Sequence, residues 1–358
     1  MGKFTESSSG KVREIMNNIP MEDIEQLLKH AVLKRETLKK ADNTTVPAYH
    51  IALSGTSNYL IHTGISMCSI MKSNPEKNFE FHILLNDISP DDKKYMEKLV
   101  EKTGSGVNLY YINDQVFRQM LHKDGIAGYF YRFLIPMAIA DEGVQRVLYI
   151  DGDVMCQGNL EPLMDIDLEG NIAACAEDSP TGKAEGLGRL HTADYFNSGM
   201  MLIDVPAWNK ESLSQKAAAM AIERKQSGMR LESHDQDILN ILLDKRFKNV
   251  SRKYNWTYNM SLRGLFQKQK QFIYDPEAVL IHFTGLVKPW RTWVQDLPAV
   301  QRYNSFRMQS PWKNIPLVGP LTHKDRHQAA RHARRMKKWG MACKLYGKYF
   351  LCKLSKKK

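Results

Sequence analysis

The sequence predicts an α/β fold: a mixed, mostly parallel central sheet, preceded by a helical extension and followed by a basic helical tail. Apolar runs of strand length alternate with segments of helix length from Tyr49 onward, which is typical of a sheet covered by helices on both faces. Before that point, apolar side chains recur at helical spacing between Met21 and Val32. From His323 to the end, Lys and Arg crowd a segment whose aromatic side chains also fall at helical spacing.

The alternating region supplies the candidate strands. Apolar runs lie at 51–53, 81–85, 107–112 and 147–150, separated by segments of helix length such as 59–72 and 90–102. In an open α/β sheet the ligand binds beyond the carboxyl ends of the strands. The residues that follow each run are small or polar: Ser54-Gly55-Thr56-Ser57-Asn58, Asn86-Asp87, Asp151-Gly152-Asp153 and, after a further run at 172–176, Glu177-Asp178. No glycine-rich dinucleotide loop or P-loop motif occurs there, which argues against those two kinds of nucleotide site.

The triplet Asp151-Gly152-Asp153 carries the clearest chemistry at these positions. It follows an apolar strand, so both carboxylates can turn toward one divalent cation while the glycine lets the backbone approach. Two further Asp-x-Asp triplets, which begin at Asp165 and Asp235, make the pattern alone a weak signal. Acids that cap a turn are the alternative.

A second polar cluster follows the apolar run at 279–281. His282 emerges from this run and can complete an Asp-Asp-His metal site. Gly285 and Lys288 can offer a backbone amide and a cation to a diphosphate that the metal bridges. The set suits a nucleoside diphosphate leaving group. A core histidine and a solvated surface lysine are the alternatives.

Charge and composition bound the class of protein. The 358 residues are 43% hydrophobic and 25% charged, which suits one large domain with extensions. The net charge of +12 lies in the tail, because thirteen Lys and Arg face one acid after residue 322 and the rest carries 38 of each sign. The five cysteines show no metal-binding spacing, and no apolar run reaches the length of a bilayer span. A cytoplasmic protein is expected.

The tail predicts a basic amphipathic helix. Apolar and aromatic side chains recur every three or four residues, with Lys and Arg around them, at Met336, Trp339, Cys343, Tyr346, Phe350 and Leu354. Such a helix can lie in the headgroup plane of an anionic leaflet. A cationic helix packed on the protein's own core and a nucleic-acid-binding tail are alternatives, and the neutral body argues against nucleic acid.

Four ordered motifs point to a known family. They are Asp151-Gly152-Asp153 after a strand, Tyr195-Phe196-Asn197-Ser198-Gly199, His234-Asp235-Gln236-Asp237-Ile238-Leu239-Asn240, and His282-Phe283-Thr284-Gly285 with Lys288-Pro289-Trp290. In order and spacing they resemble glycosyltransferase family 8, and most closely its lipopolysaccharide core hexosyltransferases. The resemblance spans about 49–312. It implies a GT-A-like, single Rossmann-type catalytic domain at 48–312. The helical N-terminal extension then occupies 1–47, and the basic membrane-association segment occupies 313–358.

The resemblance also implies roles for individual residues. Asp151, Asp153 and His282 match the ligands of Mn²⁺ (or Mg²⁺). Asp235 matches a residue that holds sugar hydroxyls, and Gln236 matches the side chain nearest the reacting anomeric carbon. The implied donor-binding set is Ser54, Gly55, Asn58, Arg132, Asp151, Gly152, Glu177 (with Asp178 as the alternative), Asn197, Gly285 and Lys288.

The implied function is transfer of glucose or galactose from a UDP-sugar to the lipopolysaccharide core, with retention of configuration. The metal would assist the departure of UDP, and an acceptor hydroxyl would attack from the front face. The expected partners are the UDP-sugar, the core acceptor and an anionic membrane surface at the inner face of the inner membrane, with no nucleic acid. A metal-dependent phosphoesterase or hydrolase of nucleotide sugars is the alternative.

Overall fold

A computed structural model describes residues 20–42, 47–118, 120–121, 126–178, 195–228, 233–261 and 274–355. Its strands are β1 Val32–Lys39, β2 Tyr49–Gly55, β3 Phe79–Leu85, β4 Gly106–Ile112, β5 Arg146–Asp151, β6 Val154–Cys156, β7 Ala173–Glu177, β8 Phe196–Asp204, β9 Phe247–Val250, β10 Trp256–Thr257 and β11 Leu280–His282. Its α-helices are α1 Met21–Lys29, α2 Leu60–Ser73, α3 Pro90–Val100, α4 Asp114–Phe117, α5 Ile135–Ala138, α6 Glu161–Met164, α7 Val205–Lys210, α8 Leu213–Gln226, α9 His234–Leu242, α10 Pro298–Arg307, α11 His323–Arg335 and α12 Trp339–Ser355. Short 3-10 segments include Ser57–Tyr59, Tyr131–Leu134, Arg252–Tyr254 and Pro311–Asn314.

Eight strands form the central sheet, in the order β1-β4-β3-β2-β5-β8-β7-β9. The pairs β4/β3, β3/β2, β2/β5 and β7/β9 are parallel, and β1/β4, β5/β8 and β8/β7 are antiparallel. The predicted mixed, mostly parallel sheet is therefore confirmed. The four predicted strands coincide with β2 to β5, and β3 is buried along its whole length, as expected for a strand covered on both faces.

Apolar side chains cover both faces of this sheet. On one face, α2 and α3 pack against β2, β3 and β4 through residues such as Leu60, Met67 and Met96. On the other face, α9 packs against β8, and α8 contacts both α9 and α1 within the same apolar cluster. A third apolar cluster joins α10 to β11. The sheet is thereby held rigidly between helical layers, and the ends of its strands are fixed.

A small second sheet, β10-β11-β6, sets the position of the candidate site. The chain passes from β5 in the central sheet to β6 in the small sheet through Asp151, Gly152 and Asp153. β11 pairs antiparallel with β6 and places His282 opposite Val154. The pairing brings the histidine to the corner where the two aspartates lie.

The N-terminal segment is helical only in part. α1 agrees with the predicted helix, but Val32–Lys39, also expected to be helical, form the edge strand β1. Pairing with β4 decides this, because the Tyr111 hydroxyl donates to the Glu36 carboxylate at 2.9 Å across the pair. The sheet thus begins before residue 48. Residues 1–19 and 43–46 of the predicted extension lie outside the described residues.

The tail is helical, as predicted, but it contains two helices. α11 and α12 pack against each other, with the His327 and Tyr349 rings 4.9 Å apart, and the chain turns between them at Lys337, whose φ is +57°. Met336, expected within one continuous helix, precedes this turn. Within the described ranges we find no helix with the length and hydrophobicity that crossing a membrane requires.

Candidate active site

The side chains of Asp151, Asp153 and His282 meet at the corner between the two sheets. His282 Nε2 lies 3.6 Å from Asp151 Oδ2 and 3.3 Å from Asp153 Oδ1. One possible ligand atom from each residue lies within 4.8 Å of the other two. Oxygen and imidazole nitrogen atoms at such spacing can share one divalent cation.

Two asparagines fix the tautomer of His282. Its Nδ1 lies 3.0 Å from Asn197 Oδ1 and 3.1 Å from Asn255 Oδ1, so Nδ1 carries the proton and donates to both. The Asn197 assignment is consistent, because the same oxygen also accepts from the Gly199 amide at 3.0 Å. Nε2, the other ring nitrogen, faces the two carboxylates. Two carboxylate oxygens and an imidazole nitrogen at this spacing form a donor set that fits a divalent metal ion.

Two glycines allow the close approach at this corner. A Cβ on Gly199 would lie 2.2 Å from His282 Cε1 and 2.9 Å from Asp151 Oδ2. A Cβ on Gly152 would lie 2.7 Å from Thr63 Oγ1. Gly152 belongs to the predicted donor-binding set, whereas Gly199 was part of a motif without an assigned role. The requirement for glycine at Gly199 becomes visible only when β8 and β11 are placed side by side at the corner.

Arg132 connects the corner of Asp151, Asp153 and His282 to the predicted sugar-binding residues. Only 5% of this residue is exposed, and its Nη2 donates to Asp151 Oδ1 at 2.9 Å while its Nε lies 2.9 Å from Asp235 Oδ2. Burial would lower the pKa of the guanidinium, but Asp151 and Asp235 raise it above its usual value, so the group stays charged. With Oδ1 of Asp151 held by the arginine, Oδ2 is left facing His282.

Lys288 neutralises the second aspartate. Its ammonium donates to Asp153 Oδ2 and, at 2.6 Å, to the carbonyl of Phe283. Burial alone would raise the pKa of Asp153, but Lys288 and His282 hold it well below its usual range, so the carboxylate is ionised. Gly285 makes the turn between His282 and Lys288 with a φ of +81°, a conformation that favours glycine.

The Gln236 amide is held on both sides by its neighbours. Its Oε1 accepts from Asn197 Nδ2 and from the Ser198 backbone amide, both at 3.1 Å. Its Nε2 donates to Asp178 Oδ2 at 3.3 Å. Of the two acids at the end of β7, Asp178 is therefore the one that contacts Gln236. The sugar contact implied for Glu177 stays a prediction.

Ser54 reaches the corner through Tyr149. The serine Oγ lies 3.2 Å from the Tyr149 hydroxyl, which donates to Asp151 Oδ1. Burial raises the pKa of Tyr149 well above its ordinary value, so the hydroxyl keeps its proton. Tyr149 and Asn255 were not singled out in the sequence, because each looks like an ordinary core or loop residue there. Gly55 ends β2, and the side chain of Asn58 lies outside the described residues.

Comparison with solved structures identifies the class of fold. The galactosyltransferase LgtC, solved in complex with donor and acceptor sugar analogs, superposes with a TM-score of 0.62. The alignment covers 73% of this chain and 96% of LgtC at 20% sequence identity. The chain therefore has the GT-A fold of glycosyltransferases, as the resemblance implied.

Comparison of sequences identifies the family. The lipopolysaccharide 1,3-galactosyltransferase of Salmonella typhimurium is 28% identical over 323 residues, which are 88% of this chain and 94% of the relative. The lipopolysaccharide glucosyltransferase WaaO of Escherichia coli is 29% identical over 314 residues, 85% of this chain and 91% of the relative. The model of glycosyl transferase family 8 matches residues 50–294. The chain belongs to this family and is a glycosyltransferase.

Proposed function

We propose that this glycosyltransferase moves glucose or galactose from a UDP-sugar to the lipopolysaccharide core, with retention of configuration. The observation that carries the proposal is the cluster of Asp151, Asp153 and His282, in which one imidazole nitrogen faces two carboxylates. Such a site suits a divalent cation that bridges a diphosphate. The names of the Salmonella typhimurium and Escherichia coli relatives support the acceptor and the hexose.

The three ligand residues would hold Mn²⁺ or Mg²⁺, which supplies Lewis-acid stabilisation of the charge on the departing diphosphate. Lys288 provides a second cation at the same corner, because its ammonium already neutralises a buried carboxylate of Asp153. When a diphosphate enters, the lysine can exchange that carboxylate for a phosphate oxygen without leaving the corner. A fixed cation in a site that excludes water stabilises the leaving group strongly.

The sugar pocket argues for front-face attack. An amide is a poor nucleophile, and the Gln236 oxygen is already engaged by two hydrogen bonds. Asp235 is paired with the buried guanidinium of Arg132, which lowers the nucleophilicity of its carboxylate. With both candidate nucleophiles restrained, the leaving phosphate is the base that helps to deprotonate the acceptor hydroxyl.

The C-terminal segment 313–358 supplies the proposed membrane contact. Trp339, Met341, Phe350 and Leu351 of α12 are exposed, and lysines surround them. The helix pair α11 and α12 contacts the catalytic domain through His332 of α11, whose Nε2 lies 2.9 Å from Asp296 Oδ1. A surface of this kind suits an anionic leaflet and would place the enzyme at the inner face of the membrane that carries the acceptor.

A panel of UDP-sugars tests the transfer reaction. UDP release with Mn²⁺ should rise strongly when a truncated core glycolipid is added, and Asp153→Asn should lower kcat/KM at least ~100-fold. Asp165→Asn is the matched control, since Asp165 belongs to another Asp-x-Asp triplet and accepts from Tyr49 at the surface. Equal UDP release with and without acceptor would favour the hydrolase alternative. Wild-type turnover by Asp153→Asn would refute the metal site.

The stereochemical proposal has its own measurement. NMR of the first product formed should show the same anomeric configuration as the donor sugar. Mass spectrometry of a slowed variant should find no glycosyl adduct, and an adduct on Asp235, Glu177 or Asp178 would overturn front-face attack. No contact in the described ranges favours the phosphoesterase alternative, because those ranges hold one cluster of possible metal ligands, at Asp151, Asp153 and His282.

A further inference from the structure

A large groove lies at the opposite end of the sheet from the candidate active site. It is bounded by the carboxyl ends of α2 and α3, by the loops that lead into β3 and β4, and by residues 308–314, and it encloses about 1050 Å³. Thr63 of α2 lies at the active-site corner, whereas Lys72, near the end of the same helix, lines the groove. At 1.5 Å per residue these positions are roughly 14 Å apart along the helix axis, so the groove is a separate site.

The charge of this lysine groove is of one sign. Among the described residues no acid lines it, and its five cationic residues are Lys72, Lys77, Lys98, Lys102 and Lys313. The ammonium of Lys77 is paired with Glu161, whereas the other four lysines are exposed and form no ion pair with the residues that the structure describes. Like charges gathered along one groove repel one another and attract an anionic ligand.

The wall of the lysine groove is built into the fold. Trp312 is fully buried between α2 and α3, and its Nε1 donates to Asp92 at 3.1 Å. α2 carries Gly64 at this contact, where a Cβ would lie 2.2 Å from the indole ring. The buried tryptophan fixes Lys313 and Met308 on either side of it. The groove is therefore a permanent feature with cations along its rim and apolar surface such as Met308, which is 56% exposed.

We propose that the lysine groove binds the phosphate headgroup of an anionic phospholipid. Lysine presents a compact charge on a flexible apolar stem, which suits contact with a phosphate at a lipid surface. Clusters of four or more lysines bind the anionic leaflets of membranes. In the part of the chain that the structure describes, the lining contains no arginine and a single aromatic residue, Tyr95, whereas nucleic-acid sites combine arginine with several stacking rings. The proposal rests on the proposed membrane location and is independent of the transfer reaction.

Vesicle binding by the full chain tests this proposal. The triple variant Lys72→Gln, Lys98→Gln, Lys102→Gln should lose affinity for vesicles that contain phosphatidylglycerol by on the order of 100-fold, which is what three lysines contribute near an anionic surface. The control is the triple variant Lys210→Gln, Lys245→Gln, Lys253→Gln, which removes the same charge at exposed positions outside the groove. The control should change affinity only by a few-fold. Equal losses in both triple variants, or wild-type affinity in the groove variant, would overturn the proposal.

Acylation of lysines in the wild-type protein locates the contact directly. Vesicles should protect Lys98 from acetic anhydride while Lys210, which is exposed and lies outside the groove, stays reactive; equal reactivity of the two would overturn the proposal. Both triple variants should release UDP in solution at the wild-type rate. A protein that shows no sugar transfer but keeps groove-dependent vesicle binding would refute the proposed function and leave the groove assignment intact.

Discussion

Replacing Asn255 by leucine should weaken metal binding while leaving the fold in place. Leucine is similar in size but removes the oxygen that accepts from His282 Nδ1 at 3.1 Å. Asn197 Oδ1, at 3.0 Å, remains as a second acceptor, so the required tautomer becomes less favoured and is not lost. Removing an outer partner of a metal-binding histidine costs about 10–100-fold in metal affinity, and the remaining acceptor sets the expected loss near the lower figure.

The EPR signal of free Mn²⁺ during a titration measures this affinity without any turnover. Asn74→Leu is the matched control, because Asn74 is also buried and donates to the carbonyls of Ile70 and Gly158 at the far end of α2. Both variants should lower Tm, since each loses buried hydrogen bonds. Only Asn255→Leu should raise the Kd for Mn²⁺. An unchanged Kd in that variant, or the same rise in the control, would refute the role assigned to Asn255.

Three further perturbations test the packing and the electrostatics. Gly199→Ala places a methyl group 2.2 Å from His282 Cε1, so donor turnover should fall at least ~100-fold. Gly319→Ala is the control, because among the described residues its new methyl group would have no neighbour within 4 Å beyond the two adjacent residues, and turnover should stay unchanged. Equal activities of the two variants would contradict the close approach at Gly199. Burial lowers the pKa of His82 from 6.5 to about 3, so the unfolded chain binds a proton between these values and the native protein does not. As the pH falls from about 7.5 to about 5, protonation of His82 in the unfolded chain should therefore lower the free energy of unfolding by about 2 kcal/mol, as measured in urea. His82→Gln should remove this contribution to the pH dependence of stability. The same pH dependence in the variant and the wild type would refute the lowered pKa of His82. Gly64→Ala overpacks the tryptophan that fixes the lysine groove, so the urea midpoint should drop by the equivalent of roughly 1–3 kcal/mol, and a wild-type midpoint would show that the ring can move.

The central strands were predictable because their signal is local. β2 to β5 are short apolar runs bounded by polar residues, and their burial on both faces makes those runs continuous. β1 was missed because Val32–Lys39 contain Leu, Lys, Arg and Glu, which favour helices in isolation. Its conformation is decided by β4, a partner distant in sequence, and by contacts such as Glu36 with Tyr111.

The candidate site likewise contains residues that a local sequence pattern predicts and residues that only distant contacts reveal. The three proposed metal ligands stand at strand ends and in family motifs, so their sequence positions suffice to find them. Asn255 acts through a histidine that lies in another strand, and no local pattern marks it. The choice between Glu177 and Asp178 depends on an irregularity in the pairing of β7 with β8 between Cys175 and Glu177, which changes the alternation of side chains there.

β1 also affects how the enzyme can be produced. It lies outside the residues matched by the family model, 50–294, yet it forms the outer edge of the sheet beside Gly106–Ile112. A recombinant protein that starts at residue 48 would lack β1. The unpaired peptide groups of β4, which carries two tyrosines, would then be free to form hydrogen bonds with the strands of other protein molecules. Native β1 presents Lys34 and Arg35 at this edge instead, and such charges discourage strand addition. Expression limits taken from the family match alone should therefore give aggregates, and limits that include residue 20 should give soluble enzyme.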